Sequence, residues 1–202
     1  MITDQRLERL AAVAAARQNM TVILENVHDR HNIGAVMRTC DAVGIQEIYV
    51  LYTEEQLQER HLQDVKSTST GVRKWLDVHF YTEVGPCFEA VRARYAHIYA
   101  THLDADAKNL YDLDLSSSVA LLFGNEHEGV SDDALGHCDG NFIIPQHGMV
   151  GSLNISVACA VTLYEASRQR MRAGLYEKSL EESGNQAIMD SFVSTHNKRY
   201  ER

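Results

Sequence analysis

The chain has 202 residues, 45% of them hydrophobic, and a formal net charge of −9 at pH 7. This length and composition predict one sizeable globular domain with a proper core, and they exclude wholesale disorder. The N-terminus shows no basic region followed by an apolar one, and no run is long enough to span a bilayer, so the sequence predicts a cytoplasmic protein without a membrane partner.

The N-terminal third predicts a helix followed by a βαβ unit. Residues 4–17 carry an apolar stripe at helical spacing. The β-branched run 21–27 predicts a strand, a helix follows with Asn32 at its N-terminus, and residues 47–52 predict a second strand. Such a unit is typical of a parallel sheet with a right-handed crossover.

The same alternation continues through the middle of the chain. Three further segments have the pattern of strands, at residues 75–81, 97–102 and 118–123. A helix is predicted over residues 86–95, Ser131 caps a short helix, and the polar segment 54–70 contains a predicted loop. Strands that alternate with helices indicate an α/β fold with a mainly parallel sheet and helices on both faces.

The last unit runs from strand through loop to helix. Residues 142–144 predict a strand that ends at Pro145, because proline has no amide to donate to a sheet ladder. Ser152 and Asn154 stand where a helix should begin, and both residue types are common helix caps. Residues 153–163 are apolar almost all round, which suits a helix buried in an interior or an interface.

Polar loops that contain glycine follow three of the predicted strands, at residues 28–34, 124–129 and 146–154. In such sheets ligands bind beyond the carboxyl ends of the strands. None of these loops has GxGxxG spacing, and the chain has no GxxxxGK[ST] motif. An enzyme that binds a dinucleotide or a triphosphate through the usual motifs is therefore disfavoured.

The cysteines give no sign of a metal site. Four cysteines are scattered along the chain, at Cys40, Cys87, Cys138 and Cys159. They show no CxxC or zinc-ligand spacing, so we expect reduced, packed thiols and no metal.

The acidic charge disfavours a nucleic-acid partner, because phosphate binding relies on Lys and Arg. Six arginines nevertheless cluster near the two ends, at Arg6, Arg9, Arg17, Arg168, Arg170 and Arg172. Each cluster is either a solvated helix face or a local basic surface.

Three segments, taken together, resemble the three motifs of the SpoU/TrmH family of RNA 2′-O-ribose methyltransferases. They are Asn32-Ile-Gly-Ala-Val-Met-Arg38, Leu121-Leu-Phe-Gly-Asn-Glu-His-Glu-Gly-Val-Ser131, and Ile143-Ile-Pro through Ser152-Leu-Asn-Ile-Ser-Val-Ala158. The similarity runs from the N-terminal helix to Gly174. Within the family, segments 67–75 and 168–172 are most similar to the branch that methylates the D-loop guanosine at tRNA position 18.

This resemblance implies a SPOUT fold with a C-terminal trefoil knot over about residues 119–164, a homodimer, and S-adenosylmethionine as methyl donor for a tRNA substrate. It assigns residues 1–174 to one methyltransferase domain and leaves residues 175–202 as a C-terminal helical extension. The implied cofactor contacts are Thr101, Gly124, Ile144 and Leu153. The polar groups expected around the reacting hydroxyl are Asn32, Arg38, Glu126, Ser152 and Asn154. Both arginine clusters are expected to bind tRNA phosphates.

Several alternatives stay open at the level of sequence. The family proposal makes the residue that matches Arg38 a base, whereas a cationic Arg38 that binds phosphate and stabilises the developing alkoxide fits guanidinium chemistry better. Taken singly, Asn32 and Ser152 can be helix caps and Glu126 a solvated carboxylate. The substrate can instead be ribosomal RNA or another tRNA position. A catalytically inactive RNA-binding homologue is the third possibility, but a pure binder would not need this complete polar set.

Overall fold

Strands and helices alternate along the part of the chain that the computed structural model describes, residues 2–58, 71–149 and 151–200 without the side chains of 199 and 200. The strands are β1 (Met20–Glu25), β2 (Glu47–Leu51), β3 (Asp77–Tyr81), β4 (His97–Thr101), β5 (Lys108–Asn109), β6 (Val119–Phe123) and β7 (Gly140–Ile143). The helices discussed below are α1 (Asp4–Ala15), α2 (Arg30–Ala42), α3 (Val84–Arg92), α4 (Asp132–Leu135), α5 (Ile155–Arg172), α6 (Leu180–Ser183) and α7 (Gln186–Tyr200). Residues 59–70, most of the segment predicted to contain a loop, lie outside the described residues.

The described strands form one sheet in the order β3-β2-β1-β6-β4-β7-β5, and neighbouring strands pair in parallel throughout. All residues of the central strands β1 and β6 are buried. Leu24 of β1 is the register partner of Phe123 of β6, so both strands end at the same edge of the sheet. The loops that follow them are therefore neighbours, although they are far apart in sequence. The predicted mainly parallel sheet is confirmed.

Helices cover both faces of the sheet. Successive residues of a central strand point to opposite faces, so a strand that is apolar throughout needs packing partners on both sides. On one face, Leu24 packs in a buried cluster that includes Val36 of α2 and Ile155 of α5. On the other face, Ile23 belongs to a second cluster that includes Phe88 of α3. This arrangement confirms the predicted α/β fold with helices on both faces.

The C-terminal helices pack against the N-terminal helix. Phe192 of α7 is 2% exposed and lies in a small cluster with Leu10 of α1. The indole of Trp75 meets the Phe192 ring edge-on, with 5.4 Å between the ring centroids. The helical extension expected over residues 175–202 contains α7, which has its own apolar contact to α1.

Several element boundaries differ from the expected ones, and one short strand was not predicted. Helix α1 ends at Ala15 rather than at residue 17. Helix α2 begins earlier than its apolar pattern suggested, with Asp29 as the cap that accepts a hydrogen bond from the His31 amide at 2.8 Å. Asn32 therefore lies inside the first turn and does not cap the helix. The two-residue strand β5 is too short to show a periodic pattern.

Candidate active site

A cavity of about 460 Å³ opens where strands β4, β6 and β7 end. Its lining includes the four positions that were predicted to hold the cofactor, Thr101, Gly124, Ile144 and Leu153. Glu126 and Ser152, two of the predicted catalytic residues, line the same cavity. The second and third motif segments thus meet around one site.

The cavity combines an apolar interior with an exposed, polar mouth. Phe123 and Phe142 are buried, and their rings meet edge-on with centroids 6.5 Å apart. Gln146, Gly148 and Gly151 belong to the lining and are exposed. A volume of this size with mostly apolar walls and a few polar groups is typical of a site for a small organic ligand.

The loop after β6 is closed tightly at its base. The Asn125 amide donates to the Gly129 carbonyl at 3.0 Å, and the Gly129 amide donates back to the Asn125 carbonyl at 3.2 Å. The Asn125 side-chain oxygen accepts from the amides of His127 and Glu128 at 2.8 and 2.6 Å. A Cβ atom on Gly124 would lie 2.0 Å from the Gly129 carbonyl, so only glycine fits at the start of this loop.

A chain of side-chain hydrogen bonds joins all three motif segments. The amide and hydroxyl of Ser156 both donate to Asn154 Oδ1, at 2.8 and 2.6 Å. Asn154 Nδ2 donates to Asn32 Oδ1 at 3.1 Å, and Asn32 Nδ2 donates to Glu126 Oε1 at 2.6 Å. Because each amide offers its oxygen to one neighbour and its nitrogen to the next, the bonds fix the orientation of both asparagines. The first motif, on α2, is thereby tied to the rim of the cavity.

The helix-cap interpretation is correct for Asn154, wrong for Asn32 and unsupported for Ser152. Asn154 is the N-cap of α5 while its amide group also binds Asn32. Ser152 is exposed in the preceding loop and lines the cavity. The polar residues at the N-terminus of α5 therefore do more than bind the free backbone amides of its first turn.

Arg38 lies apart from this chain of hydrogen bonds. It follows Asn32 by six residues on α2, which corresponds to about 9 Å along the helix axis. Its side chain is exposed and forms no hydrogen bond or ion pair within the part of the chain that the structure describes. The fold leaves this cation available to an anionic ligand.

The structure contradicts two of the predicted RNA contacts. Arg17 is 6% exposed, donates to the Ile45 carbonyl at 2.7 Å and pairs with Asp41 at 2.7 Å. Arg170 is 2% exposed and donates to three backbone carbonyls, including that of Leu115 at 3.0 Å. Both guanidinium groups hold separate segments of the chain together, and they are buried away from any phosphate.

The other four predicted arginines, Arg6, Arg9, Arg168 and Arg172, reach the surface. The Arg6 guanidinium lies over the ring of Trp75, 5.6 Å from its centroid. Arg6 and Arg9 line the same small cavity. Arg168 binds Glu165 through two nitrogens, at 2.6 and 2.7 Å. Two smaller basic surfaces therefore remain, one on α1 and one at the end of α5.

Helix α5 is buried on one face only. Leu163 is fully buried, whereas Leu153, Val157, Tyr164 and Met171 are 38%, 47%, 58% and 56% exposed. Val157, Tyr164 and Met171 recur at a spacing of seven, which places them on one side of the helix, and Leu153 lies just before its N-cap. The predicted burial of this helix is confirmed for its inner face, and the outer face presents an apolar stripe.

Two residues of the site were not predicted, Asn125 and Ser156. Each has a local signal that could have found it. Asn125 lies two residues after the end of β6 and precedes two amides that its side chain can bind, as in an Asx turn. Ser156 stands two residues after the N-cap, where its hydroxyl can reach the capping side chain.

The structure also bears on metals and membranes. No group of three His, Cys, Asp or Glu side chains within residues 2–58, 71–149 and 151–200 is placed to hold a metal ion. Over the same residues, every helix is too short or too polar to cross a bilayer.

Comparison with known proteins gives consistent similarities. The SpoU rRNA Methylase family matches residues 19–164, which include every residue that lines the cavity. A tRNA (guanosine(18)-2′-O)-methyltransferase from Thermus thermophilus is 41% identical over 177 residues, 87% of this chain and 89% of that protein.

Two crystal structures show the same fold. The A. aeolicus TrmH/SpoU tRNA modifying enzyme is 33% identical with a TM-score of 0.77, and the match covers 95% of this chain and 97% of that one. The SpoU methyltransferase AviRb from Streptomyces viridochromogenes, in complex with the cofactor AdoMet, is 30% identical with a TM-score of 0.65 over 77% of this chain and 62% of that one.

Proposed function

The chain belongs to the SpoU rRNA Methylase family, and we propose that it transfers a methyl group from S-adenosylmethionine to a ribose 2′ hydroxyl of tRNA, that of the D-loop guanosine at position 18. The observation that carries this proposal is the hydrogen-bond chain from Ser156 to Glu126, which joins three motif segments beside the cavity. A relative that is 41% identical is named for the same reaction. A tRNA substrate makes the cytoplasm the proposed site of action.

The cavity fits S-adenosylmethionine in size and chemistry. Its volume of about 460 Å³ and its buried aromatic interior suit a nucleoside with an apolar extension. The backbone of Gly124, Ile144 and Leu153 and the hydroxyl of Thr101 are the groups proposed to hold it. Thr101 Oγ1 already donates to the Leu122 carbonyl at 3.2 Å, so this hydroxyl offers an acceptor. When bound, the cofactor supplies a methyl carbon on a sulfonium, open to attack by a hydroxyl oxygen.

The polar residues supply alignment and charge for this transfer. Methyl transfer needs the ribose oxygen held in line with the methyl group, and it needs help for the departing proton. Glu126 accepts one bond from Asn32 and keeps acceptor capacity for a substrate hydroxyl. Arg38 is proposed to bind a neighbouring phosphate and to stabilise the developing alkoxide as a cation.

The tRNA surface is proposed to include the half-buried Arg6 and the three exposed arginines, Arg9, Arg168 and Arg172. Their charges are local, on a body with a net charge of −9. Local clusters are sufficient for phosphate binding, since the interaction of exposed charges is screened within about 10 Å at moderate salt.

A homodimer is part of the same proposal, as is the knotted path of about residues 119–164. The apolar stripe on α5 supports it, since such a contiguous exposed face is typical of an interface. Light scattering after gel filtration should give twice the chain mass of 22.7 kDa. Val157→Glu should shift the protein to monomers, and Val13→Glu, an exposed valine on α1, should not. A monomeric parent at micromolar concentration would contradict the dimer.

Methyl transfer to defined RNAs tests the function. Radiolabelled S-adenosylmethionine, unmodified tRNA and nucleoside analysis should yield 2′-O-methylguanosine, and the same tRNA with 2′-deoxyguanosine at position 18 should accept no label. Label in ribosomal RNA fragments alone would favour the ribosomal substrate that the family name suggests. Tight tRNA binding without any transfer would favour an inactive binding protein.

A further inference from the structure

Glu25, the last residue of β1, is a buried carboxylate that the proposed reaction does not use. It is 1% exposed, and no Lys or Arg of the described residues forms an ion pair with it. Both of its oxygens are bound by one residue: Ser131 Oγ donates to Oε1 at 2.5 Å, and the Ser131 amide donates to Oε2 at 3.0 Å. These two hydrogen bonds give both buried oxygens a donor, and a buried polar group without a partner would destabilise the fold.

Ser131 is the point at which the loop after β6 rejoins the body of the protein. Its hydroxyl accepts from the Ala134 amide at 3.2 Å as the N-cap of α4, while it donates to Glu25. The base of the loop lies just before it, where Asn125 and Gly129 exchange backbone hydrogen bonds. A shift of Ser131 would therefore move this closed base, and with it the loop that carries Glu126.

Glu25 directly precedes the segment that leads into the first motif. The next residue, Asn26, has a positive φ of 48°, donates its amide to the Leu51 carbonyl at 2.9 Å and exchanges side-chain bonds with Thr53. The segment from Asn26 leads directly into α2 and Asn32. The two segments are thus joined twice, at the buried base by Glu25 and Ser131 and at the exposed rim by Asn32 and Glu126.

We propose that Glu25 is a positioning residue, which acts through Ser131 to hold the loop over residues 124–130 where Glu126 meets Asn32 and Gly124 lines the cofactor cavity. The effect on turnover rests on the proposed methyl transfer, whereas the effect on loop order does not. The proposal separates Glu25 from an ordinary buried polar group, whose loss would lower stability without changing the site.

The test compares Glu25→Gln and Ser131→Ala with a matched control, Glu47→Gln. Glu47 is 4% exposed and lies at the opposite end of the sheet, where Tyr49, Tyr95 and Arg94 bind its carboxylate. All variants are studied well below their melting temperatures, with calorimetric binding of S-adenosylhomocysteine, tRNA kinetics and amide hydrogen exchange of residues 125–131.

Glu25→Gln should accelerate exchange of the loop amides, weaken S-adenosylhomocysteine binding several-fold and lower kcat by about tenfold, since small misplacements of reacting groups have large effects on rate. Ser131→Ala should do the same to a smaller extent, and the double variant should show less than the sum of the two effects. Glu47→Gln should lower Tm and leave loop exchange, cofactor affinity and kcat unchanged.

Three outcomes overturn the proposal. The first is unchanged loop exchange and cofactor affinity in folded Glu25→Gln. The second is an equal change in Glu47→Gln, which would show only general destabilisation. The third is full additivity of the two substitutions. If Glu25→Gln does not fold, Ser131→Ala decides alone, because it removes the hydroxyl and leaves the carboxylate. If the parent methylates no RNA, loop exchange and cofactor binding still decide.

Discussion

Asn32 donates its side-chain amide to Glu126 across 2.6 Å, although the two residues are 94 positions apart in the chain. The parallel register of β1 and β6 makes this contact possible, because both strands end at the same edge and send their following segments to one place. A second bond from Asn154 then fixes the Asn32 amide from the other side. Hydrogen bonds between side chains of the protein itself therefore hold the polar rim of the cavity in one arrangement.

Replacing Asn32 should separate turnover from folding. Asn32→Ala removes both bonds, and we expect kcat to fall by about a hundredfold, within the range that is typical when a group that aligns the reactants is lost. Asn32→Asp should be at least as damaging, because it places a second carboxylate against Glu126. Steady-state methyl transfer with circular dichroism as the folding control checks this. Normal turnover in Asn32→Ala would remove the hydrogen-bond chain from the mechanism.

Arg38 should matter for chemistry and not for the cofactor. Its side chain is exposed and unpaired within the described residues, so Arg38→Ala should leave the fold and S-adenosylmethionine binding intact while abolishing methyl transfer. Arg38→Lys keeps the positive charge and should retain part of the rate if the cation binds phosphate. Isothermal calorimetry and single-turnover transfer measure the two quantities separately. If Arg38→Ala methylates tRNA normally, neither the base nor the cationic role survives.

The sequence predicted the fold well where local patterns decide it. Short β-branched and apolar runs mark the strands, and the parallel sheet follows from their alternation with helices. The positions expected to hold the cofactor, such as Gly124 and Leu153, came from the resemblance to the family motifs, and the structure places them in the lining of one cavity. The local pattern alone predicted only that polar loops with glycine follow the strand ends.

Other features depend on partners that are distant in sequence. Arg170 has the same local appearance as Arg168, yet it is buried by carbonyls 55 and 151 positions away. The hydrogen-bond donor to Glu25, Ser131, lies 106 positions away, and nothing near Glu25 in sequence indicates it. The clustering of arginines in the sequence does not distinguish buried arginines from surface ones, because it does not show which side of a helix faces the body of the protein.

The exposed arginines should set the salt dependence of tRNA binding. Arg6→Ala with Arg9→Ala should reduce the slope of log K against log salt by up to about 2, roughly one unit for each phosphate contact that is lost. Arg92 is the matched control, since it lies on another helix, α3, and is already bound to Asp139. Fluorescence anisotropy across a salt series measures the slope. An unchanged slope, or the same reduction in Arg92→Ala, would show that α1 does not bind phosphate.

Arg17, one of the two buried arginines, should contribute strongly to the free energy of unfolding. Arg17→Ala leaves the Ile45 carbonyl and the half-buried Asp41 without their partner, and we expect a loss of about 3 kcal/mol in the free energy of unfolding, as is typical when one partner of a buried ion pair is removed. Arg9→Ala, which changes an exposed arginine on α1, should change it by less than about 0.5 kcal/mol. Urea denaturation compares the two variants. Equal stability would contradict the structural role of Arg17.

Asp139 should contribute stability that disappears in acid. Burial alone would raise the pKa of Asp139, but hydrogen bonds from Arg92 and from the Ile98 amide, with the Arg92 charge, hold this pKa below its ordinary value. A carboxyl with a lowered pKa stabilises the fold above its unfolded pKa of about 4, and this contribution is lost as the pH falls through the folded value.

Asp139→Asn should therefore lower the free energy of unfolding at pH 7, and the difference from the parent should shrink towards pH 3. Because about a third of each side chain is exposed, solvent screening limits the ion-pair part to about 1 kcal/mol or less. Urea denaturation at both pH values measures the difference. A difference that stays constant with pH would mean that hydrogen-bond geometry, rather than the charge of Asp139, is what the fold uses.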